Sequence, residues 1–354
     1  MKARPSPTRA TVGVGMVGLG FMAATHLKAY REVTGARIVA LCNPSGRNLD
    51  GDFSRVTGNV GANDPFRLEM RGVTATRDFT QLLADPRVRL IDICTPTPCH
   101  VEFSVAALRA GKHVVCEKPL ARSVPEARKI PAAAKNARGF FMPAMCLRFW
   151  PEWSWLHDVI VGKRFGRVLA ARFRRVAEPP HWGRKNFFDG AKSGGALFDL
   201  HVHDTDFVQY CFGRPAKVFS TGYSVFSGAI DHIVTQYEVA SGAIVSAEGS
   251  WAMTPGFGFN MSYTVNFEGA TVDYDLARGS EKLKLFEKGK APRVVACPGQ
   301  DGYVGELRHI VESIRAGRPP SVVRVADAVS AVEICAAEEQ SVKCGRAVTI
   351  PAGR

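Results

Sequence analysis

The sequence predicts a two-domain α/β protein, with a mainly parallel sheet and its helices first and a large, open, mostly antiparallel sheet second. Short apolar runs alternate with helical patterns up to residue 144, which is typical of a parallel sheet covered by helices. Five alternating or β-branched runs follow between residues 217 and 276, separated by glycines, and they predict an antiparallel sheet. The alternating, arginine-rich run 168–176 predicts an edge strand of the second domain, and residues 48–72 predict a short helix with an extended loop. We expect domains at 1–144 and 145–354, with room for the last helices to pack back on the first domain.

The first strand and the turn after it predict the kind of ligand. Thr11 to Val17 is a short apolar run, and the turn Gly18-Leu19-Gly20-Phe21-Met22-Ala23 leads directly into a helical pattern. Glycines in this G-x-G-x-x-A spacing permit a tight turn and close backbone approach, so that a pyrophosphate can lie on the helix N-terminus. We therefore predict a Rossmann dinucleotide-binding domain, with cofactor contacts from Gly18, Gly20, Phe21 and Met22.

The second strand ends at the position that normally contacts the adenosine ribose. The run Ala36 to Cys42 is followed by Asn43, where NAD-preferring sites usually carry Asp or Glu. A neutral residue with Arg47 nearby removes the repulsion against a 2′-phosphate and offers it a partner. Asn43 and Arg47 are predicted cofactor contacts, and the cofactor is NAD or NADP.

Two further strands place polar residues at the same edge of the sheet. The run 90–94 ends in Thr95-Pro96, a helix is predicted from His100, and the run 113–116 ends in Glu117-Lys118-Pro119. Because the carboxyl ends of parallel strands line the ligand crevice, the cofactor set also includes Thr95, Pro96, His100, Glu117 and Lys118. An ammonium at this position could hydrogen-bond a substrate hydroxyl and favour its alkoxide character, which makes Lys118 a catalytic candidate as well.

Five ionisable residues are concentrated in the stretch Gly194-Gly195-Ala196-Leu197-Phe198-Asp199-Leu200-His201-Val202-His203-Asp204-Thr205-Asp206. On a helix Asp199, His203 and Asp206 share one face, and His201 points to the opposite side. The Asp199 carboxylate can orient the imidazole of His203 for acid/base work. No metal is predicted, since third and fourth ligands have no obvious source nearby, and Asp206 is expected to be structural.

Composition favours a soluble cytoplasmic protein. The nine cysteines are odd in number and show no CxxC spacing, which is typical of reduced thiols. The net charge of +13 is spread along the chain rather than gathered in runs, so no nucleic-acid partner is expected. No apolar stretch is long enough to cross a membrane, and the basic segment 1–9 is not followed by a signal-peptide core.

The chain resembles the family of nicotinamide-dependent sugar and polyol oxidoreductases that includes glucose-fructose oxidoreductase, inositol dehydrogenase and MocA. The resemblance rests on VGMVGLGFMAATH at 14–26, CTPTPCH at 94–100, AGKHVVCEKPL at 110–120 and GGALFDLHVHDTD at 194–206. It implies that Lys118 orients a substrate hydroxyl, commonly ahead of a cis prolyl bond, and that Asp199 and His203 serve as substrate binder and acid/base. His201 departs from the family pattern, and its role is open.

The same resemblance places Arg148 or a neighbour near cofactor and substrate, although packing of a tryptophan-rich helix explains this segment equally well. Trp182, in a loop ahead of the Asp199 stretch, suits stacking on the apolar face of a sugar ring, with core packing as the alternative. The predicted substrate contacts are thus Lys118, Arg148, Trp182, Asp199 and His203. Broad sheets of this type often make oligomer contacts, so a homodimer or homotetramer through the second sheet is expected.

These features predict an oxidoreductase that moves a hydride between a nicotinamide and a carbinol carbon of a sugar, polyol or sugar derivative. His203 takes the hydroxyl proton, Lys118 stabilises the oxyanion and Asp199 fixes the geometry. One alternative is an enzyme that keeps its NAD(H) bound and oxidises transiently, for epimerisation, elimination or glycoside cleavage. A second alternative is a non-catalytic nucleotide-binding sensor.

Overall fold

The structure is a computed structural model that describes residues 11–58 and 65–351. Its strands form one six-stranded and one nine-stranded sheet. The basic segment 1–9 lies outside the described residues. Among the described residues, no helix combines the length and the apolarity needed to cross a membrane.

The first sheet is parallel throughout, in the strand order β3-β2-β1-β4-β5-β6. All six residues of β1 are buried, as expected of a central strand covered on both faces. The elements of this half are β1 (Val12–Val17), α1 (Phe21–Tyr30), β2 (Ala36–Cys42), β3 (Thr74–Thr76), α2 (Phe79–Ala84), β4 (Leu90–Ile93), α3 (His100–Arg109), β5 (His113–Glu117), α4 (Val124–Ala127), α5 (Lys129–Ala134) and β6 (Phe141–Ala144).

The second sheet has the order β14-β13-β12-β11-β7-β10-β9-β8-β15. Its neighbours are antiparallel except for β7 and β10, which run parallel. Its elements are α6 (Pro151–Val161), β7 (Val168–Ala177), α7 (Arg184–Phe187), α8 (Gly190–Ser193), α9 (Val202–Phe212), β8 (Lys217–Tyr223), β9 (His232–Glu238), β10 (Ile244–Ser250), β11 (Phe259–Phe267), β12 (Ala270–Asp275), β13 (Leu283–Glu287), β14 (Arg293–Val294), α10 (Gly302–Ala316), α11 (Val325–Cys344) and β15 (Val348–Thr349).

One sequence expectation is wrong here. The arginine-rich run 168–176 was expected to be an edge strand, but β7 lies inside the sheet between β11 and β10. Its inward-facing residues Ala171, Phe173 and Arg175 are buried, while its other arginines lie on the outer face. The described residues 48–58 and 65–72 contain no helix, and Asp52 and Arg67 form an isolated bridge there. The rest of the segment predicted to hold a short helix, residues 59–64, lies outside the described residues, so that prediction is not tested.

The inner face of the second sheet packs on α6 and α9 around a dense aromatic core. Trp153 lies edge-on to Phe207 and Tyr263, with ring centroids 4.9 and 5.1 Å apart. Helices α10 and α11 belong mainly to the other core, where Leu307, Ile310 and Val332 are buried with β1 and α1. Helices from the C-terminal part of the chain therefore pack against the first domain. The domain boundary after residue 144 stays a prediction.

Candidate active site

A cleft opens at the carboxyl ends of the parallel strands. Strands β1, β2, β4 and β5 all end at it, so the turns that follow them form its walls. Every residue predicted as a cofactor contact lines this cleft: Gly18, Gly20, Phe21, Met22, Asn43, Arg47, Thr95, Pro96, His100, Glu117 and Lys118. The structure brings all of them together, and their contacts with a nucleotide stay a prediction.

The glycine turn fits a dinucleotide. Gly18 has φ of 83°, and a Cβ there would come within 2.7 Å of the Thr95 backbone nitrogen. Gly20 has no atom within 4 Å of where its Cβ would be, so a ligand can approach the backbone closely. No side chain caps the N-terminus of α1, which leaves its positive dipole end for a pyrophosphate.

The far end of the cleft carries positive charge. Asn43 holds a tight turn, since its Nδ2 donates to Arg47 O at 2.7 Å and its Oδ1 accepts from Ser45 Oγ at 3.0 Å. Arg47 lines the cleft here, and so does Arg55, which sequence reasoning missed because the segment around it has no regular pattern. Two guanidinium groups suit a phosphate on the ribose.

His100 lines the cleft, and both nitrogens of its ring are bonded to backbone oxygens of the protein. Its Nε2 lies 2.7 Å from Thr95 O and its Nδ1 lies 2.8 Å from Pro119 O. The residue is only 1% exposed. His100 therefore links the turn after β4 to the turn after β5. It was predicted as a cofactor contact, and in the structure its ring supports the two turns that line the cleft.

A second cavity lies beside this cleft and shares Lys118 and Asp199 with it. Lys118 follows β5 and precedes a cis peptide bond to Pro119, as the resemblance implied. Its Nζ donates to the Asp199 backbone oxygen at 2.6 Å and lies 3.2 Å from Asp199 Oδ1. The ammonium is thus fixed at the border between the two cavities.

His203 lines the same cavity but is not oriented by Asp199 as predicted. The carboxylate of Asp199 pairs with Lys118, and no hydrogen bond between Asp199 and His203 occurs in the described part of the chain. The physical reason is local, because residues Leu197–His201 form a π-helical turn that enters α9. A wider turn changes the angle between positions that would share one face of a regular α-helix.

The environment of His203 favours its neutral form. Burial, followed by the positive charges of Lys118 and Arg175, lowers the pKa of His203 well below the usual 6.5. Its Nδ1 is buried and has no hydrogen-bond partner among the described residues. A neutral imidazole at neutral pH is a competent proton acceptor.

This shift predicts a measurable titration. Because the folded-state pKa is depressed, the neutral base predominates at every pH above that lowered value, and we expect the His203 resonance to titrate below 6.5. NMR titration of the cofactor-free protein, with His203 assigned by its absence in His203→Asn, measures the midpoint. Titration at or above 6.5 would contradict this electrostatic picture.

Behind the end of β5 lies a buried cluster that sequence reasoning missed. His26 Nδ1 lies 2.9 Å from Asp92 Oδ2, and its Nε2 lies 3.1 Å from Glu117 Oε1 and 3.6 Å from Glu306 Oε1. Glu117 Oε2 also accepts the Lys118 backbone N–H at 3.2 Å. Burial is the largest effect and disfavours the charged imidazole, but Asp92 and Cys94 together outweigh burial and raise the pKa of His26. The donor atoms are of types that can hold a metal ion, and here they connect α1, β4, β5 and α10.

Arg148 is the predicted substrate contact that the structure corrects. Its guanidinium makes a bidentate pair with Asp206, with Nε and Nη2 at 2.8 and 2.7 Å, and its Nη1 lies 3.0 Å from Asp327 Oδ2. The residue is 3% exposed and does not line either cavity. Two aspartates from α9 and α11 take up its donors, while neighbouring Leu147 lines the cavity instead. Asp206 is structural, as expected.

His201, whose role was open, packs inside the second half of the chain. Its Nε2 lies 3.1 Å from the Tyr237 hydroxyl, which donates to Glu338 Oε1 at 2.7 Å. Thr205 Oγ1 donates to the same carboxylate at 3.2 Å. This buried network joins the start of α9 to β9 and α11, so His201 helps to fix the helix that carries His203.

Trp182 lines both cavities and contacts Phe21 and Phe187, with ring centroids 5.1 and 4.9 Å apart. It is 37% exposed, so it is not core filler. Several lining residues come from segments to which sequence reasoning gave no role, among them Glu178, Trp251, Phe259 and Tyr303. Their positions at strand and helix ends became recognisable as a site only once the strand order was known.

Two family models match the chain. Residues 12–144 match the oxidoreductase family with an NAD-binding Rossmann fold, and residues 153–273 match the Gfo/Idh/MocA C-terminal domain. Together they cover the first sheet and strands β7 to β11 of the second sheet. The cavity residues Cys146, Leu147, Trp150, Leu276 and Tyr303 lie outside both matches.

Several curated relatives are named as reductases or dehydrogenases of sugars, inositols or a cyclic diol. The chain is 29% identical over 216 residues to a 1,5-anhydro-D-fructose reductase of Ensifer adhaerens, covering 60% of this chain and 61% of that protein. The matched part therefore spans less than two thirds of the length of that relative. It is 30% identical over 259 residues to a trans-1,2-dihydrobenzene-1,2-diol dehydrogenase of Bos taurus, covering 69% of this chain and 74% of the other.

Among solved structures, a levoglucosan dehydrogenase in complex with NADH and L-sorbose superposes with a TM-score of 0.81. The match covers 97% of this chain and 99% of the other, at 22% sequence identity. At that identity the likeness establishes a common fold.

Proposed function

The chain belongs to the Gfo/Idh/MocA family of NAD-binding oxidoreductases, and on that premise we propose that it transfers a hydride between a nicotinamide and a carbinol carbon of a sugar, polyol or sugar derivative. The observation that carries this proposal is the convergence of Lys118, Asp199 and His203 on one cavity beside the dinucleotide cleft. The relatives that act on an anhydro sugar and on a cyclic diol support a ring carbinol as substrate.

When bound, the nicotinamide supplies the hydride acceptor. Side chains of the protein supply the proton acceptor and the hydrogen-bond donor for the carbinol hydroxyl. His203 is held neutral by its surroundings and takes the hydroxyl proton. The Lys118 ammonium donates to the oxygen as negative charge develops on it. Asp199 accepts from Lys118 through both its backbone and its side chain, so that the ammonium stays aimed at this point.

A panel of sugars and polyols, scored with both NAD and NADP, tests the proposal. We expect at least one ring carbinol to reduce the nicotinamide in a net reaction, visible as the near-ultraviolet absorbance of the reduced ring. Product formation without net reduction would favour transient oxidation with a retained cofactor. Tight nucleotide binding without chemistry on any compound would favour a sensor.

The nucleotide preference gives a separate prediction. Asn43 is neutral, and Arg47 and Arg55 line the cleft beyond it, so we expect the wild-type protein to accept NADP. Asn43→Asp should weaken NADP binding by about tenfold or more relative to NAD, because it adds a carboxylate facing the 2′-phosphate and offers a partner to a free ribose hydroxyl. Calorimetric titration with both nucleotides measures the change. Strict NAD use by the wild-type protein would count against this interpretation of Asn43 and Arg47.

We also propose a homodimer or homotetramer through the outer face of the second sheet. Large apolar side chains are exposed on that face in three neighbouring strands: Phe219 and Tyr223 on β8, Val234 on β9 and Ile244 on β10, the last 72% exposed. A second copy of this chain would bury them. Light scattering on a sizing column should show an oligomer that Ile244→Lys shifts toward monomer, and a wild-type monomer at all concentrations would contradict the proposal.

A cytoplasmic location is proposed as well. All nine cysteines are free thiols, and most are buried as small apolar side chains.

A further inference from the structure

The buried cluster behind the end of β5 contains a histidine that the proposed reaction leaves without a role. His26 on α1 is 0% exposed, and both of its ring nitrogens face carboxylates. Nδ1 lies 2.9 Å from Asp92 Oδ2, and Nε2 lies 3.1 Å from Glu117 Oε1. Because an ionised carboxylate offers only acceptors and a negative charge, a ring placed between two of them is stabilised in its doubly protonated, charged form.

A third carboxyl group near the ring contributes less to this charge balance. Glu306 Oε1, on α10, lies 3.6 Å from Nε2 of His26, farther away than Glu117 Oε1. Burial raises the pKa of Glu306 well above its usual range, which favours the neutral acid. The charged imidazole is therefore balanced by Asp92 on one side and by Glu117 on the other.

Glu117 connects this ring to the catalytic lysine. Its second oxygen, Oε2, accepts the Lys118 backbone N–H at 3.2 Å, and the residue lines both cavities although only 5% of it is exposed. Without a counter-charge behind it, this carboxylate would be attracted to the Lys118 ammonium, which contacts Asp199 in the structure. An ammonium drawn to Glu117 would no longer be directed at the substrate oxygen.

We propose that His26 is a positioning residue for the hydride transfer: it holds the Glu117 carboxylate at the back of the site and thereby keeps Lys118 paired with Asp199 and directed at the substrate hydroxyl. The inference rests on the proposed function and adds a residue to it. His26 lines neither cavity, so it acts only through Glu117.

Two substitutions at His26 separate this role from a purely structural one. His26→Gln can place an amide N–H near the position of Nε2, next to Glu117, whereas the shorter His26→Asn reaches only the position of Nδ1, next to Asp92. Each variant loses the charge and leaves one buried carboxylate without a donor, so a structural role predicts equal losses. We expect kcat of His26→Gln to exceed kcat of His26→Asn by about tenfold or more, with KM and nucleotide affinity nearly unchanged in both.

The same pair of substitutions at His309 is the matched control. His309 lies on α10, accepts the Ser321 backbone N–H at its Nε2, and lines neither cavity. The two control variants should have the same kcat. Equal kcat values in folded His26→Gln and His26→Asn would overturn the inference.

Crystal structures of the two His26 variants give a readout that needs no turnover. In His26→Asn the Glu117 carboxylate should turn toward Lys118 and the contact of Lys118 Nζ with Asp199 should be lost, while His26→Gln should keep both side chains in place. If the wild-type protein reduces no nicotinamide but Lys118 moves in this way, the proposed function fails and the positioning role stands. If Lys118 keeps its contact with Asp199 in both variants, the inference fails whatever the activity.

The charge on His26 can also be measured in the wild-type protein, which keeps the inference testable if His26→Asn does not fold. Nitrogen NMR of histidine-labelled protein distinguishes a doubly protonated ring from a neutral one, and the signal that disappears in His26→Gln identifies His26. At mildly alkaline pH, where an ordinary histidine is neutral, we expect both ring nitrogens of His26 to be protonated. A neutral ring would leave Glu117 without its counter-charge and would overturn the inference.

Discussion

Replacing His203 with alanine should lower kcat by about two to four orders of magnitude while leaving nucleotide affinity intact. The imidazole lines the cavity and is neutral because burial and two cations disfavour its charged form. It does not line the dinucleotide cleft, so nucleotide affinity should not change. Steady-state kinetics on the best compound of the panel and calorimetric titration with the nucleotide measure the two quantities separately.

The matched control for this variant is His157→Ala. His157 lies on α6, stacks on Tyr210 with ring centroids 3.7 Å apart, and lines neither cavity. Turnover should be near normal in this control. Near-normal turnover in His203→Ala would remove His203 from the mechanism, and a parallel loss of nucleotide affinity would indicate a folding defect instead.

Replacing Arg148 with methionine should destabilise the protein by about 3–5 kcal/mol. Its guanidinium is the bidentate partner of Asp206, whose side chain is 1% exposed, and it also binds Asp327 and the Val322 carbonyl. Removing only the arginine leaves a buried carboxylate without a counter-charge. Urea unfolding followed by circular dichroism gives the free-energy difference.

Two further variants make this stability test specific. Arg148→Met combined with Asp206→Leu removes both buried charges and should recover most of the lost stability. Arg67→Met breaks an exposed pair with Asp52 and should change stability little, because the arginine side chain is 77% exposed. A single Arg148→Met variant as stable as the wild-type protein would show that the buried network does not hold α9 in place.

Sequence patterns were sufficient for the nucleotide-binding half. Strand, glycine turn and helix alternate locally there, and the rule that ligands bind at the carboxyl ends of parallel strands brought distant residues such as Asn43, Thr95 and Lys118 to one cleft. The second sheet was harder to predict. The β7 strand looked like an edge strand because its outer face carries arginines, while its position inside the sheet depends on pairing with β10 and β11.

In the candidate site, too, local motifs could be predicted from the sequence and contacts between distant residues could not. Lys118 and Asp199 were found from motifs, but their mutual contact depends on packing between the two halves of the chain. Helical periodicity predicted that Asp199 would orient His203, and the π-helical turn overrode it. Arg148 was a predicted substrate contact because of the family resemblance, and its actual partners, Asp206 and Asp327, are far from it in sequence. Long-range ion pairs of this kind carry no local signal.

The buried contacts around α9 also connect stability to function. Arg148 fastens one side of α9 to α11 through Asp206, and His201 fastens its start to β9 and α11 through Tyr237 and Glu338. His203 lies on the segment between these anchors. Precise placement of a proton acceptor therefore depends on residues that touch neither cavity.

Deuterium placed on the carbinol carbon of the best substrate of the panel tests the central claim most directly. Direct hydride transfer predicts that the label appears in the reduced nicotinamide, in equal amount to the ketone formed, and that kcat/KM shows a primary isotope effect if the transfer limits the rate. Unlabelled reduced nicotinamide would contradict direct transfer from that carbon. Label that returns to the product without net reduction would contradict a net dehydrogenase and assign the chain to cofactor-recycling chemistry.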